Sequence, residues 1–78
     1  MSEQVLSYLA KSLVDRPDDV SVTAVEEGEG DIVLELRVHP EDMGKVIGKR
    51  GRTAKAIRTM VKAAATREGT NATVEIVE

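Results

Sequence analysis

The chain has 78 residues, with 11 lysines and arginines against 14 aspartates and glutamates, one histidine, no cysteine and a net charge of −3. That length makes room for one domain, residues 1–78, whose small core must come from Val, Ile, Leu, Met and Ala, since Tyr8 is the only aromatic residue. The composition excludes a disulfide framework, a thiolate metal site and a membrane span of about 20 apolar residues, and the polar start MSEQVLSYLAKSL is no signal peptide, so a soluble, cytoplasmic protein is expected.

In chain order, residues 2 to 15 predict a helix. Val5, Leu6, Leu9, Leu13 and Val14 recur at helical spacing, Ser2 is the expected N-cap, and Pro17 stops the element. Val20, Val22 and Ala24 then alternate with Ser21, Thr23 and Val25 as a first strand. A glycine-containing turn, Glu26 to Gly30, leads to the clearest strand, where Ile32, Leu34, Leu36 and Val38 alternate with Val33, Glu35 and Arg37. So short a turn predicts an antiparallel hairpin.

Pro40 opens a short helix, with His39 as its entry residue and Glu41 and Asp42 at the positive end of the helix dipole. Met43, Val46 and Ile47 share a face, and Gly48 and Gly51 then interrupt the helix. A long helix follows from Arg52 to Glu68, burying Ala54, Ile57, Val61, Ala64 and Ala65, with Met60 also read as core. Lys55, Arg58, Thr59 and Lys62 form a basic stripe on another side, and Gly69 is the C-cap. Ala72, Val74 and Ile76 alternate with Thr73, Glu75 and Val77 as the last strand.

The order is α-β-β-α-α-β. The two-helix connection before the last strand is long enough for a crossover, which predicts parallel pairing with the second strand. That strand, the most consistently apolar, is placed at the centre. The fold class expected is α+β, a three-stranded mixed sheet with three helices packed on one face.

Charge is distributed unevenly along this chain. Residues 43–67 hold eight basic residues (Lys45, Lys49, Arg50, Arg52, Lys55, Arg58, Lys62, Arg67) and no acid, while the remainder holds three basic residues and all 14 acids, a balance of −11. Such a one-sided field suits a polyanion held against one face. Within the basic segment lies Val46-Ile47-Gly48-Lys49-Arg50-Gly51-Arg52, between a short helix and a long one. Two glycines bracketing two cations let the backbone turn sharply and approach another molecule, with helix N–H groups behind them for phosphate oxygens.

Other chemistries fit poorly. Gly44 and Gly48-Lys49 are one residue short of a P-loop, and Arg50 stands where Ser or Thr would hold magnesium. His39 has no second histidine or cysteine to form a metal site with it. Glu26, Glu27, Glu29 and Asp31 cluster at a hairpin turn and read as solvated surface. No nucleophile–base pair is visible, so no enzyme, cofactor, metal or small-molecule substrate is expected.

The run Val46 to Gly51 and the element order resemble the KH domains, in their prokaryotic type II topology. The stand-alone size and the run Gly48-Lys49-Arg50-Gly51-Arg52-Thr53-Ala54-Lys55-Ala56-Ile57 resemble the small bacterial KhpA family of RNA-binding proteins. The resemblance implies a groove for about four nucleotides of single-stranded RNA. In it, Gly48, Lys49, Arg50 and Gly51 would clamp the sugar-phosphate backbone, joined by Arg52, Thr53 and Lys55 at the start of the long helix. Val46 and Ile47 would form an apolar floor, and the second strand near Val38 would close the opposite edge. Ala54 stands where KH domains often carry a larger aliphatic residue, which implies a shallower groove. The resemblance further implies a protein partner, either a second copy or a larger KH-containing protein, met through the acidic helix-hairpin half or the helical face around Thr59 and Thr66. No membrane contact is implied. A lack of aromatic platforms sets the chain apart from RRM, OB-fold and cold-shock readers, which stack bases on several rings.

Overall fold

The computed structural model describes residues 1–78. The elements are α1 (Ser2–Leu13), β1 (Ser21–Glu26), β2 (Asp31–Arg37), α2 (Met43–Ile47), α3 (Arg52–Arg67) and β3 (Asn71–Val77). Single 3-10 turns at Pro17–Asp19, Pro40–Asp42 and Lys49–Gly51 lie between them. The sheet order is β1-β2-β3, with β1 antiparallel and β3 parallel to the central β2. The α+β class, the mixed sheet and the single helical layer are therefore as the alternation predicted. No helix is long and apolar enough to cross a membrane.

The core lies between the helices and one face of β2. Leu34 and Leu36 are fully buried there, and β3 continues the layer with Ala72 opposite Ile32 and Val74 opposite Leu34. Leu6, Ala10 and Val14 from α1, Val46 from α2, and Ile57, Val61 and Ala65 from α3 close it. Each fully buried leucine or valine contributes roughly 1.5–3 kcal/mol, and the cluster has only 11 members. Strand β1 is covered far less than its sequence suggests. Val22 is half-buried, but Ala24 is exposed although it pairs with buried Leu34, because the helices stop short of the outer half of the hairpin.

Ser2 is not the N-cap of α1. It is the first helical residue, it is buried, and its N–H donates to Glu68 Oε1 at 3.0 Å, so a carboxylate from the far end of α3 satisfies that helix start. The end of α3 is as the sequence predicts. Gly69 has φ +78°, its N–H donates to Thr66 O at 3.0 Å, and the Thr70 N–H donates to Ala65 O at 2.9 Å. This is a Schellman motif, and it reverses the chain so that β3 runs back along α3. The Asn71 N–H then reaches Gly30 O at 2.8 Å, which sets the start of β3 against the hairpin.

Asp42 does more than favour a helix dipole. It is fully buried, its Oδ2 accepts from the Arg16 N–H at 3.1 Å, and its Oδ1 lies 3.7 Å from Lys45 Nζ and 3.9 Å from Arg16 Nη1. One carboxylate thus ties the connection after α1 to the start of α2. His39 serves as the helix-entry residue expected of it, its Nδ1 accepting from the Glu41 N–H at 3.1 Å. These contacts fix where α2, and hence the glycine loop after it, leaves the core.

Candidate nucleic-acid interface

The loop begins where α2 ends. The Gly48 N–H donates to Gly44 O at 2.9 Å, and Gly48 itself takes φ +76° and ψ 173°. A side chain at this position has no room. A Cβ there would lie 2.6 Å from Thr53 Cβ and 2.9 Å from the Thr53 backbone nitrogen. Gly51 is also left-handed, at φ 73° and ψ 12°, but a Cβ on it meets nothing within 4 Å. Gly48 is therefore demanded by space and conformation, Gly51 by conformation alone. Accordingly, Gly48→Ala is expected to weaken nucleic-acid binding and lower the melting temperature, while Gly51→Ala costs only about 1–2 kcal/mol of backbone strain. Paired thermal melts and binding curves check this, and equal effects from the two variants would contradict it.

Between the glycines, Arg50 is the one non-glycine residue with positive φ, at φ 60° and ψ 24°. Its backbone is strained so that the loop folds into a single turn, closed by the Gly51 N–H donating to Gly48 O at 3.2 Å. The side chains of Lys49 and Arg50 are exposed at the tip and pair with no acid, as are those of Arg52, Lys55 and Lys62 on α3. Lys45 is different. It donates to Asp15 at 2.8 Å, and that hydrogen bond and the opposite charges lower the Asp15 pKa and raise that of Lys45. One of the eight cations in the basic segment is thus held within the fold.

Beside the loop runs a cleft of about 560 Å³. Met43 and Ile47 from α2, Gly51, and Ala54 and Arg58 from α3 form one side, and Glu75 to Glu78 form the other. Ile47 is 38% exposed, so its side chain offers apolar surface to a ligand. The opposite wall is β3, an edge strand, not β2 as the resemblance implied. Val38, after β2, lines a neighbouring recess with Pro40, Met43 and Glu78. The parallel crossover puts β3 outside β2, where it stands between the central strand and solvent.

That edge is unpaired. Arg58 Nε donates to the Val74 carbonyl at 3.4 Å, which therefore points away from β2, and two residues on Ile76 presents its N–H and C=O the same way. The cleft is bordered by Arg58 on its helix side and by Glu75 and Glu78 on its strand side, and Lys49 and Arg50 are exposed in the loop whose Gly51 lines it.

Of the residues expected at the site, Ile47 and Gly51 line the cleft, Gly48 shapes the loop, and Lys49 and Arg50 are exposed in that loop without lining the cleft. Val46 does not belong to the floor. It is fully buried against the core, one residue and about 100° around the helix from Ile47. Thr53 is half-buried, and its close approach is what excludes a side chain at Gly48, so its role is in the loop's shape. Arg52 and Lys55 are exposed on neighbouring faces of α3 and do not line the cleft. The floor instead includes Met43 and Ala54, Arg58 joins the α3 side, and the far wall brings in Ile76 and Val77, none of them expected to line the groove except Ala54. The helical spacing Gly51, Ala54, Arg58 carried that signal on the α3 side; nothing local marks β3 as the other wall.

A cleft between two helices joined by a G-x-x-G loop and an edge strand, on an α-β-β-α-α-β frame, defines the KH class. The chain belongs to the KhpA/KhpB KH-domain family, which matches residues 3–76. It is 61% identical over 75 residues to the RNA-binding protein KhpA of Clostridium acetobutylicum, covering 96% of this chain and 99% of that one. It is 49% identical over 78 residues to the RNA-binding protein KhpA of Treponema pallidum, covering 100% of this chain and 96% of that one. Among solved structures, Era in complex with MgGDPNP and nucleotides 1506-1542 of 16S ribosomal RNA superposes with a TM-score of 0.69 at 20% identity. That match covers 96% of this chain and 28% of Era, and it is a likeness of fold.

Proposed function

We propose that the protein binds single-stranded RNA, holding about four nucleotides in the cleft between the Gly48–Gly51 loop and β3. The observation that carries this reading is the loop itself: a turn open only to glycine at position 48, with two exposed, unpaired cations between it and Gly51, which lines a cleft with an apolar floor. The names of the relatives, RNA-binding protein KhpA, support it. Four nucleotides offer about three or four phosphate contacts, so log K is expected to fall against log salt with a slope of roughly −2 to −3. Fluorescence anisotropy on single-stranded and duplex RNA across a salt series tests this. A slope near zero, or tighter binding of duplex, refutes the reading.

A second reading, association with another KH domain, has its own observation. Met60 is not a core residue; it is 52% exposed, because it lies on the flank of α3 turned away from the cleft. With Val5, Ala63, Ala64 and Arg67 it borders a mainly apolar recess between α1 and α3. A second copy of the chain, or a larger KH-containing protein, is the occupant that reading assigns. Met60→Asp is expected to shift the protein from dimer to monomer in light scattering with its circular dichroism unchanged. A parent that is already monomeric at high concentration removes the second copy as the occupant.

A further inference from the structure

The cleft beside the loop does not end at Arg58. On the far side of that residue, α3 and β3 continue to diverge around a second cleft of about 280 Å³, bordered by Arg58, Lys62, Asn71, Ala72, Thr73 and Val74. The two clefts share Arg58 and the β3 edge and lie end to end, because β3 runs back along α3 from Asn71 beside Lys62 to Val77 beside Gly51. The hydrogen bond from Arg58 Nε to Val74 O crosses between helix and strand and marks the boundary.

The electrostatics of the second cleft differ from those of the first. The first has Glu75 and Glu78 on its wall; the second has no acid, and Lys62 at its border pairs with none. Its remaining lining is small or neutral; the Thr73 side chain is exposed, and the Asn71 amide donates to Asp31 Oδ1 at 3.5 Å. Lys62 stands roughly 16 Å along the helix from Gly51, beyond the reach of a strand confined to the loop.

We propose that the second cleft carries further nucleotides of the same RNA strand, with Lys62 as a phosphate contact and Arg58 as the post shared by both clefts. This rests on the reading of the first cleft as an RNA site and extends its length. Charge complementarity and continuity favour this occupant: a polyanion leaving the first cleft past Arg58 meets a cationic, acid-free trench.

The test uses random-sequence single-stranded RNA of four and eight nucleotides, with the parent protein and Lys62→Ala, at about 0.1 M salt. One phosphate contact to a single strand is worth roughly fivefold under those conditions. Lys62→Ala is therefore expected to weaken octamer binding about fivefold and to leave the tetramer within about twofold. In the parent, the backbone amide resonances of Asn71 to Val74 are expected to shift with octamer and not with tetramer. Equal effects of Lys62→Ala on both lengths, no effect on either, or unmoved Asn71–Val74 amides overturn the second cleft. The first reading is judged separately: it stands if the tetramer binds and its binding needs Lys49 and Arg50, and falls if it does not.

Discussion

Lys49→Asp combined with Arg50→Asp is expected to abolish measurable RNA binding and leave the fold intact. Both side chains are exposed and pair with no acid, so their removal takes nothing from the core. Each charge-assisted contact to a phosphate contributes about 1–1.5 kcal/mol net, so losing two costs roughly 2–3 kcal/mol, or about 30- to 150-fold in affinity. Reversal then adds repulsion on top of that loss. The far wall already carries Glu75 and Glu78, so two aspartates at the loop would make the cleft anionic on both sides. A gel shift beside a circular dichroism melt reads both halves of the expectation. Parental affinity in the double variant would sink the loop assignment, and a lowered melting temperature would show that the loop is part of the fold's support.

Asp42→Ala is expected to have the largest effect on stability. The buried carboxylate accepts the Arg16 N–H and sits within 4 Å of two cationic side chains, so its removal strands a backbone donor and opens space in the fold. Removing one partner of a buried ion pair costs about 3–5 kcal/mol, but Arg16 and Lys45 are each more than two-fifths exposed and regain water. The loss is therefore placed at about 2–3 kcal/mol, a fall of roughly 10–20 °C in melting temperature for a domain this small. Asp42→Asn keeps an acceptor for the Arg16 N–H and is expected to lose about half as much. A melting temperature within about 3 °C of the parent for Asp42→Ala would show that the connection after α1 is held by other contacts.

The sequence made the frame legible because each element obeys one local rule. Alternation marks β2, apolar residues at i, i+3 and i+4 mark α3, and Gly69 in the left-handed region ends that helix as expected. The loop was legible because two glycines and two cations form a contiguous motif. The cleft was only half legible, since its second wall is a product of topology. That β3 and not the region of Val38 faces the loop depends on the crossover placing β3 outside β2, and no residue in β3 announces it. Val46 and Ile47, both expected in the floor, take different places for another reason: Val46 is buried in the core and only Ile47 lines the cleft. In a helix of five residues, two apolar neighbours cannot both face the core, and the periodicity is too short to decide which does. Met60 misled in the same way, an apolar residue on a helix whose buried stripe is narrower than its apolar one. Asp42 hid most completely: acids next to a helix start already have an explanation, and nothing in the sequence says that this one faces inward.

Strand β3 follows every other element in the chain, and it is both a wall of the cleft and a layer of the core. The Gly48–Gly51 loop is therefore synthesised before the strand that opposes it. Pairing of residues 71–77 with β2 sets the second wall of the cleft, and the same pairing brings Ala72 and Val74 into the core. The core and the cleft thus depend on the same strand, so a change that loosens β3 from β2 disturbs both.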